Sequence, residues 1–170
     1  FNPQNPDIIY CGTADRDAAD SPGMGVMKSE DGGETWTFMN DGIENLTVGD
    51  MVIDPIDPNI IIAATSSGIF RSTDGAVTWS QESMNTMNYK AIEFKPGDSE
   101  VVYATGNGRF FKSENNGQSW QYITDGIIQG NRMVIAVTPA NPELVYVLSA
   151  NTYEFRSLYR STDSGDSFEE

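Results

Sequence analysis

Three carboxylates lie close together in the first part of the chain, at Asp15, Asp17 and Asp20. Carboxylate oxygens are hard ligands of the kind that Ca²⁺ prefers, so this triplet predicts a calcium site. Its spacing is not that of an EF-hand loop, and no Glu closes it. A solvated acidic loop is the alternative interpretation. Calcium is the one cofactor that the residue pattern suggests.

A second group of residues has the chemistry to bind a glycan or a protein. Tyr153 and Phe155 can stack on sugar rings or anchor a protein partner, and Arg156 follows them directly. Phe155 can equally continue a strand towards Leu158 and Tyr159. Three further cations complete the set of candidate ligand-binding residues, namely Arg16, Arg109 and Arg132.

Composition excludes several classes of protein. Twenty-five Asp and Glu against ten Lys and Arg give the 170 residues a net charge of −15, which repels phosphate backbones and anionic lipid. We therefore expect no nucleic-acid partner, and no apolar run is long enough for membrane insertion. His is absent, which removes the commonest general base and metal ligand. Cys11 has no partner for a disulfide, and we expect it to be a small core residue on a strand over 8–11.

One eight-residue motif occurs four times, at intervals of roughly 40–50 residues. It reads Ser-x-Asp-x-Gly-x-Thr/Ser-Trp/Phe, with Asn115 in place of one Asp and Ala76 in place of one Gly. The matching positions are Ser29, Asp31, Gly33 and Trp36; Ser72, Asp74 and Trp79; Ser113, Asn115, Gly117 and Trp120; and Ser161, Asp163, Gly165 and Phe168.

The segments around each motif predict four short strands. Runs of β-branched and aromatic residues alternate with Asp-Pro, Pro-Asn and Asp-Gly turns, and no helical period is present. Four strands per roughly 40–45 residues is typical of a β-propeller blade. We predict an all-β fold of antiparallel four-stranded blades in a partial ring, with an incomplete first blade at about 1–40, blades at 46–82 and 88–123, and an incomplete fourth blade at 131–170.

The chain begins at Phe1 without Met and stops at Glu170 in mid-pattern. We therefore expect a fragment of a longer polypeptide, whose remaining blades are partners of this one.

We interpret the motif as a hairpin clasp between the third and fourth strands of each blade. The Asp side chain accepts hydrogen bonds from turn amides, and Gly supplies a positive φ. The aromatic residues begin the fourth strands and are expected to be buried between blades. At the second motif we expect the positive φ to move from Ala76 to Gly75. The motif residues are thus predicted to be structural rather than catalytic.

These motifs resemble the Asp-box, or BNR repeat, of sialidases, sortilin-type receptors, xyloglucanase-like glycosidases and photosystem assembly factors. The resemblance implies a β-propeller but no particular activity, since those families share the box and not the function. The Asn-Pro-x-Ile-Ile-Tyr strands and Asp-Gly-Ile linkers are similar to large secreted proteins of bacteria, notably the Bacteroidota, with sortilin-like propellers. This implies a secreted, extracellular or cell-surface location.

Two functions follow as hypotheses. The first is a non-enzymatic propeller module that serves as scaffold and binding platform for a glycan or a protein. The alternative is part of a glycoside hydrolase, sialidase- or xyloglucanase-like, whose catalytic residues lie outside this stretch. No catalytic residue is assigned, and whether the protein is an enzyme stays open, with the sequence leaning against it. A photosystem assembly factor is disfavoured because the blades are acidic.

Overall fold

The computed structural model describes residues 1–14, 23–43, 47–83, 86–151 and 154–170. These residues form fourteen β-strands and no α-helix. Accordingly, no helix suited to crossing a membrane is found in the described part of the chain. The all-β prediction is confirmed.

The strands form four antiparallel sheets, with three, four, four and three strands in chain order. The first sheet contains β1 (Ile9–Gly12), β2 (Val26–Ser29) and β3 (Thr37–Phe38). The second contains β4 (Val48–Ile53), β5 (Ile61–Thr65), β6 (Gly68–Ser72) and β7 (Ser80–Gln81). The third contains β8 (Tyr89–Lys95), β9 (Asp98–Gly106), β10 (Arg109–Ser113) and β11 (Gln121–Ile123). The fourth contains β12 (Arg132–Val137), β13 (Val145–Ala150) and β14 (Phe155–Ser161).

The sheets stack face to face as blades, with one apolar core between each consecutive pair. Ile61 and Trp79 pack with Val26 between the first two sheets, while Ile62 packs with Ile92 between the second and third. The third core, between the third and fourth sheets, takes residues from every strand of both sheets, among them Tyr103, Ile135 and Val147. The first strands lie side by side, β4 next to β8 and β8 next to β12, so they line the inner side of the stack.

The motif folds as the predicted clasp. In the first sheet the Ser29 hydroxyl donates to Asp31 Oδ1 at 2.7 Å and accepts from Gly33 N at 2.8 Å. Asp31 Oδ1 also accepts from Thr35 N at 2.9 Å, which holds the turn closed. The third clasp keeps this geometry because Asn115 Oδ1 accepts from Ser119 N at 2.9 Å in the same way. An acceptor oxygen, rather than a charge, is what the turn requires.

The expected shift of positive φ away from Ala76 is wrong. Every clasp has two consecutive residues with positive φ, and in the second these are Gly75 (72°) and Ala76 (71°). In this conformation the Ala76 amide donates to Ser72 Oγ at 2.9 Å, as the Gly33 amide does to Ser29 Oγ in the first clasp. Ala76 therefore occupies a left-handed conformation that favours glycine.

Two expectations about burial are also wrong. Trp79 and Phe168 are buried, but Trp36 is 38% exposed. Each buried clasp aromatic packs on the preceding sheet, as when Trp79 Nε1 donates to Met39 O at 2.9 Å, and within the described residues no sheet precedes the first. Cys11 is exposed rather than part of the core. It lies on β1, which pairs with a strand on one side only.

Candidate functional site

The connections opposite the clasps come together in the third and fourth sheets. Gly130 N donates to Gly108 O at 2.9 Å, and Gln129 Nε2 donates to Asn107 O at 3.3 Å. Arg156 Nη1 donates to Gln129 O at 2.6 Å. These bonds tie the β9–β10 turn, the segment before β12 and the start of β14 into one surface, which we call the loop end.

Four of the residues predicted to bind ligand lie at the loop end. Arg109 and Arg132 are the first residues of β10 and β12. Phe155 is the first residue of β14 and pairs with Ala150, yet its side chain remains 67% exposed. Phe155 therefore continues the strand, as one interpretation predicted, and its ring is also exposed enough to contact a ligand, as the other predicted. Arg156 follows it and is held by the Gln129 carbonyl.

Arg109 is one of these cations and is half-buried. Its guanidinium lies 5.5 Å from the centre of the Tyr122 ring, and Nη1 lies 3.4 Å from Met87 Sδ. Burial raises the pKa of the Tyr89 phenol to about 12, and the positive charge of Arg109 opposes this rise by a smaller amount. Arg109 thus packs against the Tyr122 ring and the Met87 sulfur.

The other predicted site residues lie outside the described residues, namely Asp15, Arg16, Asp17, Asp20 and Tyr153. In the part of the chain that is described, no group of three or more Cys, Asp and Glu side chains is placed to hold a metal ion.

Asp50 is a candidate that the sequence analysis missed. Strand register places Asp50 opposite Ala64, Ala91 opposite Thr105 and Val134 opposite Leu148, so the three residues occupy matching positions in β4, β8 and β12. Two of the matching residues are apolar, whereas β4 carries a carboxylate. Placing a charge at a partly buried position is unfavourable unless it is compensated. A carboxylate that replaces an apolar residue in a repeat is therefore a candidate functional group.

The backbone around Asp50 positions the carboxylate between two sheets. Its Oδ1 accepts from Met51 N at 2.9 Å, and its Oδ2 accepts from Ile92 N of β8 at 3.2 Å. Gly49 makes this approach possible, since a Cβ there would lie 2.8 Å from Tyr89 O. A groove of about 320 Å³ borders the site, lined by Tyr10, Cys11, Gly12, Val48, Gly49, Asp50 and Met51.

Glu93 on β8 provides a second carboxylate that is affected by the first. Burial raises the pKa of Glu93, and the negative charge of Asp50 raises it further. Two carboxyl groups whose environments differ are able to divide the roles of acid and base between them. A comparison of the four repeats would have revealed Asp50, since Gly49-Asp50 interrupts an otherwise apolar first strand.

Known proteins that resemble this chain in sequence or in structure include xyloglucanases and GH74 enzymes. No family model matches the chain. A xyloglucanase of Acetivibrio thermocellus is 28% identical over 177 residues, which cover 96% of this chain and 18% of that protein. An ancestral GH74 enzyme superposes with a TM-score of 0.84 at 22% identity, over 100% of this chain and 23% of its own. The GH74 enzyme of Niastella koreensis superposes with a TM-score of 0.79 at 20% identity, over 98% and 28% respectively.

The chain thus spans less than a fifth of the xyloglucanase that it matches. The structural likeness establishes the fold, which is that of a β-propeller. The sequence likeness relates this propeller to glycoside hydrolases.

Proposed function

We propose that this chain forms blades of a secreted glycoside hydrolase that acts on xyloglucan or a related glycan. The carboxylate of Asp50, at a position that is apolar in the neighbouring sheets, is the observation that carries the proposal. The 28% identity to a xyloglucanase over 96% of the chain supports it. The glycoside-hydrolase alternative therefore fits better than the non-enzymatic scaffold. The sequence analysis placed its catalytic residues outside this stretch, whereas we propose Asp50 and Glu93 within it.

Asp50 and Glu93 have complementary roles in this proposal. Glycoside hydrolysis uses one carboxylic acid to protonate the leaving oxygen and one carboxylate on the other side of the bond. The raised pKa of Glu93 suits the proton donor. Asp50 then acts as the carboxylate that takes a proton from the attacking water, or that attacks the anomeric carbon itself. In both cases the bond between the anomeric carbon and the leaving oxygen breaks.

The remaining candidate residues are assigned to glycan contacts and to structure. Phe155 offers an exposed ring for stacking on a sugar at the loop end, with Arg156 beside it. The hydrogen bonds of the four clasps support their identification as Asp-boxes, with a structural role. Asp15, Asp17 and Asp20 remain the proposed calcium ligands. A melting temperature that excess calcium or a chelator leaves unchanged would remove them.

Turnover of xyloglucan by the full-length protein tests the function. Asp50→Asn keeps one of the two oxygens that accept from Met51 N and Ile92 N, so it should still fold, with a lower melting temperature, and lose most of the activity. Glu93→Gln should lower the rate and remove the basic limb of the pH profile that a proton donor produces. Asp125→Asn and Glu34→Gln change exposed side chains and serve as controls.

Two results would count against these assignments. Undiminished hydrolysis by Asp50→Asn would exclude it from the chemistry. Binding of a glycan without turnover by the unmodified protein would return the non-enzymatic platform as the better hypothesis.

A further inference from the structure

The dipeptide Asn-Gly occurs twice in this chain, at Asn107-Gly108 and at Asn116-Gly117. Both pairs have a left-handed backbone, with φ of 48° and 67° in the first pair and of 55° and 80° in the second. Asn-Gly is the sequence in which a backbone amide most readily attacks the preceding side chain, because glycine has no Cβ to obstruct the approach. The two pairs therefore share their sequence and the sign of φ, and they differ in their surroundings.

The side chain of Asn116 is fixed by buried hydrogen bonds. It is 6% exposed, its Nδ2 donates to Ser99 O at 2.9 Å, and its Oδ1 accepts from Arg71 Nη2 at 2.9 Å. The amide that would attack it is also occupied, since Gly117 N donates to Ser113 Oγ at 2.9 Å. Attack at Asn116 therefore requires several bonds between the second and third sheets to break first.

Asn107 has none of these restraints. It lies with Gly108 in the two-residue turn between β9 and β10, where Gly106 pairs with Arg109, and its side chain is exposed. Within the described ranges, no atom forms a hydrogen bond with this side chain or accepts one from Gly108 N. Gly108 is covered by Gly130, whose amide donates to Gly108 O at 2.9 Å, so the turn must open locally before its own amide can attack. No side-chain bond has to break.

We propose that Asn107 is a site of spontaneous modification in the folded protein, where a carboxylate replaces the side-chain amide. Gly108 N attacks Asn107 Cγ, the Cγ–Nδ2 bond breaks, and ammonia leaves with the proton from Gly108 N. Water then opens the resulting five-membered imide. Addition of water at Cγ gives aspartate, whereas addition at the backbone carbonyl carbon gives isoaspartate, in which the main chain runs through the former side chain. Water is the only other reactant.

The two products affect the loop end differently. Asp-Gly suits the same tight turn as Asn-Gly, so aspartate keeps the hairpin and adds a negative charge two residues before Arg109. Isoaspartate adds a methylene to the main chain of a two-residue turn. It therefore displaces Asn107 O and Gly108 O, which accept from Gln129 Nε2 and Gly130 N and hold the loop end together. The modification is independent of the glycoside hydrolysis proposed above.

Peptide mass spectrometry of the folded protein, incubated in mildly alkaline buffer, tests the proposal, and Asn116 is the matched control within the same molecule. We expect Asn107 to lose its amide at least ~10-fold faster than Asn116, because only Asn116 is held by buried bonds. In urea the two rates should become similar, since the sequences at the reacting atoms are the same. Equal rates in the folded protein would overturn the proposal. Retention of the amide at Asn107 in the folded protein, when both residues react in urea, would also overturn it.

Asn107→Asp provides the second measurement because it already carries the carboxylate in a turn that still favours the hairpin. Its peptide should show no loss of ammonia, and a loss that persists there would assign the reaction to another residue. The variant should melt close to the fresh protein. Aged protein in which isoaspartate has formed should melt several degrees lower. If aged protein and Asn107→Asp melt at the same temperature, the proposed effect of isoaspartate on the loop end is wrong.

Discussion

Replacing Gly117 with Ala isolates a steric contact between the second and third sheets. Gly117 has φ of +80°, and a Cβ on it would lie 2.5 Å from Ile62 Cδ1. Left-handed strain costs about 1–2 kcal/mol for a residue with a Cβ. Crowding the core adds about 1–3 kcal/mol to this destabilisation. The lower flexibility of alanine in the unfolded chain stabilises the folded state by about 0.4–1 kcal/mol. We expect Gly117→Ala to destabilise the fold by about 1.5–4 kcal/mol.

Ile62→Val separates the two effects because it removes the atom that the new Cβ would meet. Alone, this substitution of a fully buried residue should cost about 0.5–1.5 kcal/mol. In the Ile62→Val background, Gly117→Ala should then cost only the backbone strain, so the double variant is more stable than the sum of the singles predicts. A favourable coupling of about 1–3 kcal/mol is expected.

Ala76→Gly is the control at the same position of the second clasp. Ala76 is fully buried and already has the left-handed conformation, so glycine relieves strain of about 1–2 kcal/mol. The lost methyl contact, about 0.8 kcal/mol, and the added freedom of the unfolded chain, about 0.5–1 kcal/mol, oppose this gain. The net change should stay within about 1 kcal/mol.

Equilibrium urea unfolding measures all four variants through the denaturation midpoint at constant slope. The reasoning is refuted if Gly117→Ala has the same cost with Ile62 and with Val at that position. In that case the backbone conformation alone determines the requirement for glycine.

Three further predictions concern the clasps and the cores between sheets. Hydrogen bonds from Thr35 and Ser29 lower the pKa of Asp31 to about 2. Burial raises the pKa of Asp163, but hydrogen bonds from Ser167 and Ser161 outweigh this effect and lower the pKa to about 2 as well. Because these folded-state values lie below the ordinary 3.8, the clasp stabilisation is complete above that pH and is lost as the pH falls through about 2. Melting curves at successive acidic pH values should show this loss. Asp163→Asn should weaken the pH dependence of the melting temperature, and the protein should still fold because Asn115 closes the third clasp in the same way. Phe168→Ala should cost about 3–5 kcal/mol in unfolding free energy, whereas Phe155→Ala, at a residue 67% exposed, should change it by less than about 0.5 kcal/mol. A double-mutant cycle between Lys112→Met and Asp166→Asn should give a coupling of about 0.5–3 kcal/mol, and additive effects would show that this ion pair does not help to join the sheets.

The repeat was sufficient to predict the local structure of this protein. Ser, Asp and Thr at fixed spacing specify a turn whose side-chain hydrogen bonds lie within about eight residues, so each clasp is determined largely by its own segment. One amide of each turn also donates to a carbonyl further back in the chain, as Gly32 N does to Asp7 O. The alternation of apolar strands with Pro and Gly turns likewise predicts strands, because these signals act over a few residues. The substitution of Asn115 for Asp was tolerable for the same local reason.

The candidate site was much less predictable. Attention to unusual loops led to Asp15, Asp17 and Asp20, whereas Asp50 lies within a regular strand and gives no local signal of its own. A comparison of the repeats draws attention to Gly49-Asp50 within an apolar strand, but it is the register, with Asp50 opposite Ala64, that matches it to Ala91 and Val134 in the neighbouring sheets. The influence of Asp50 on Glu93 depends in turn on how closely β4 and β8 approach, which Gly49 permits.

Sequence alone therefore determined the strands, the clasps and the repetition of sheets, because the forces involved act between near neighbours along the chain. The tertiary structure decided which aromatic residues are buried and which carboxylates interact. Those properties arise between sheets. Trp36 and Trp79 have the same local motif and differ in burial because, among the described residues, a sheet precedes the clasp of Trp79 and none precedes that of Trp36.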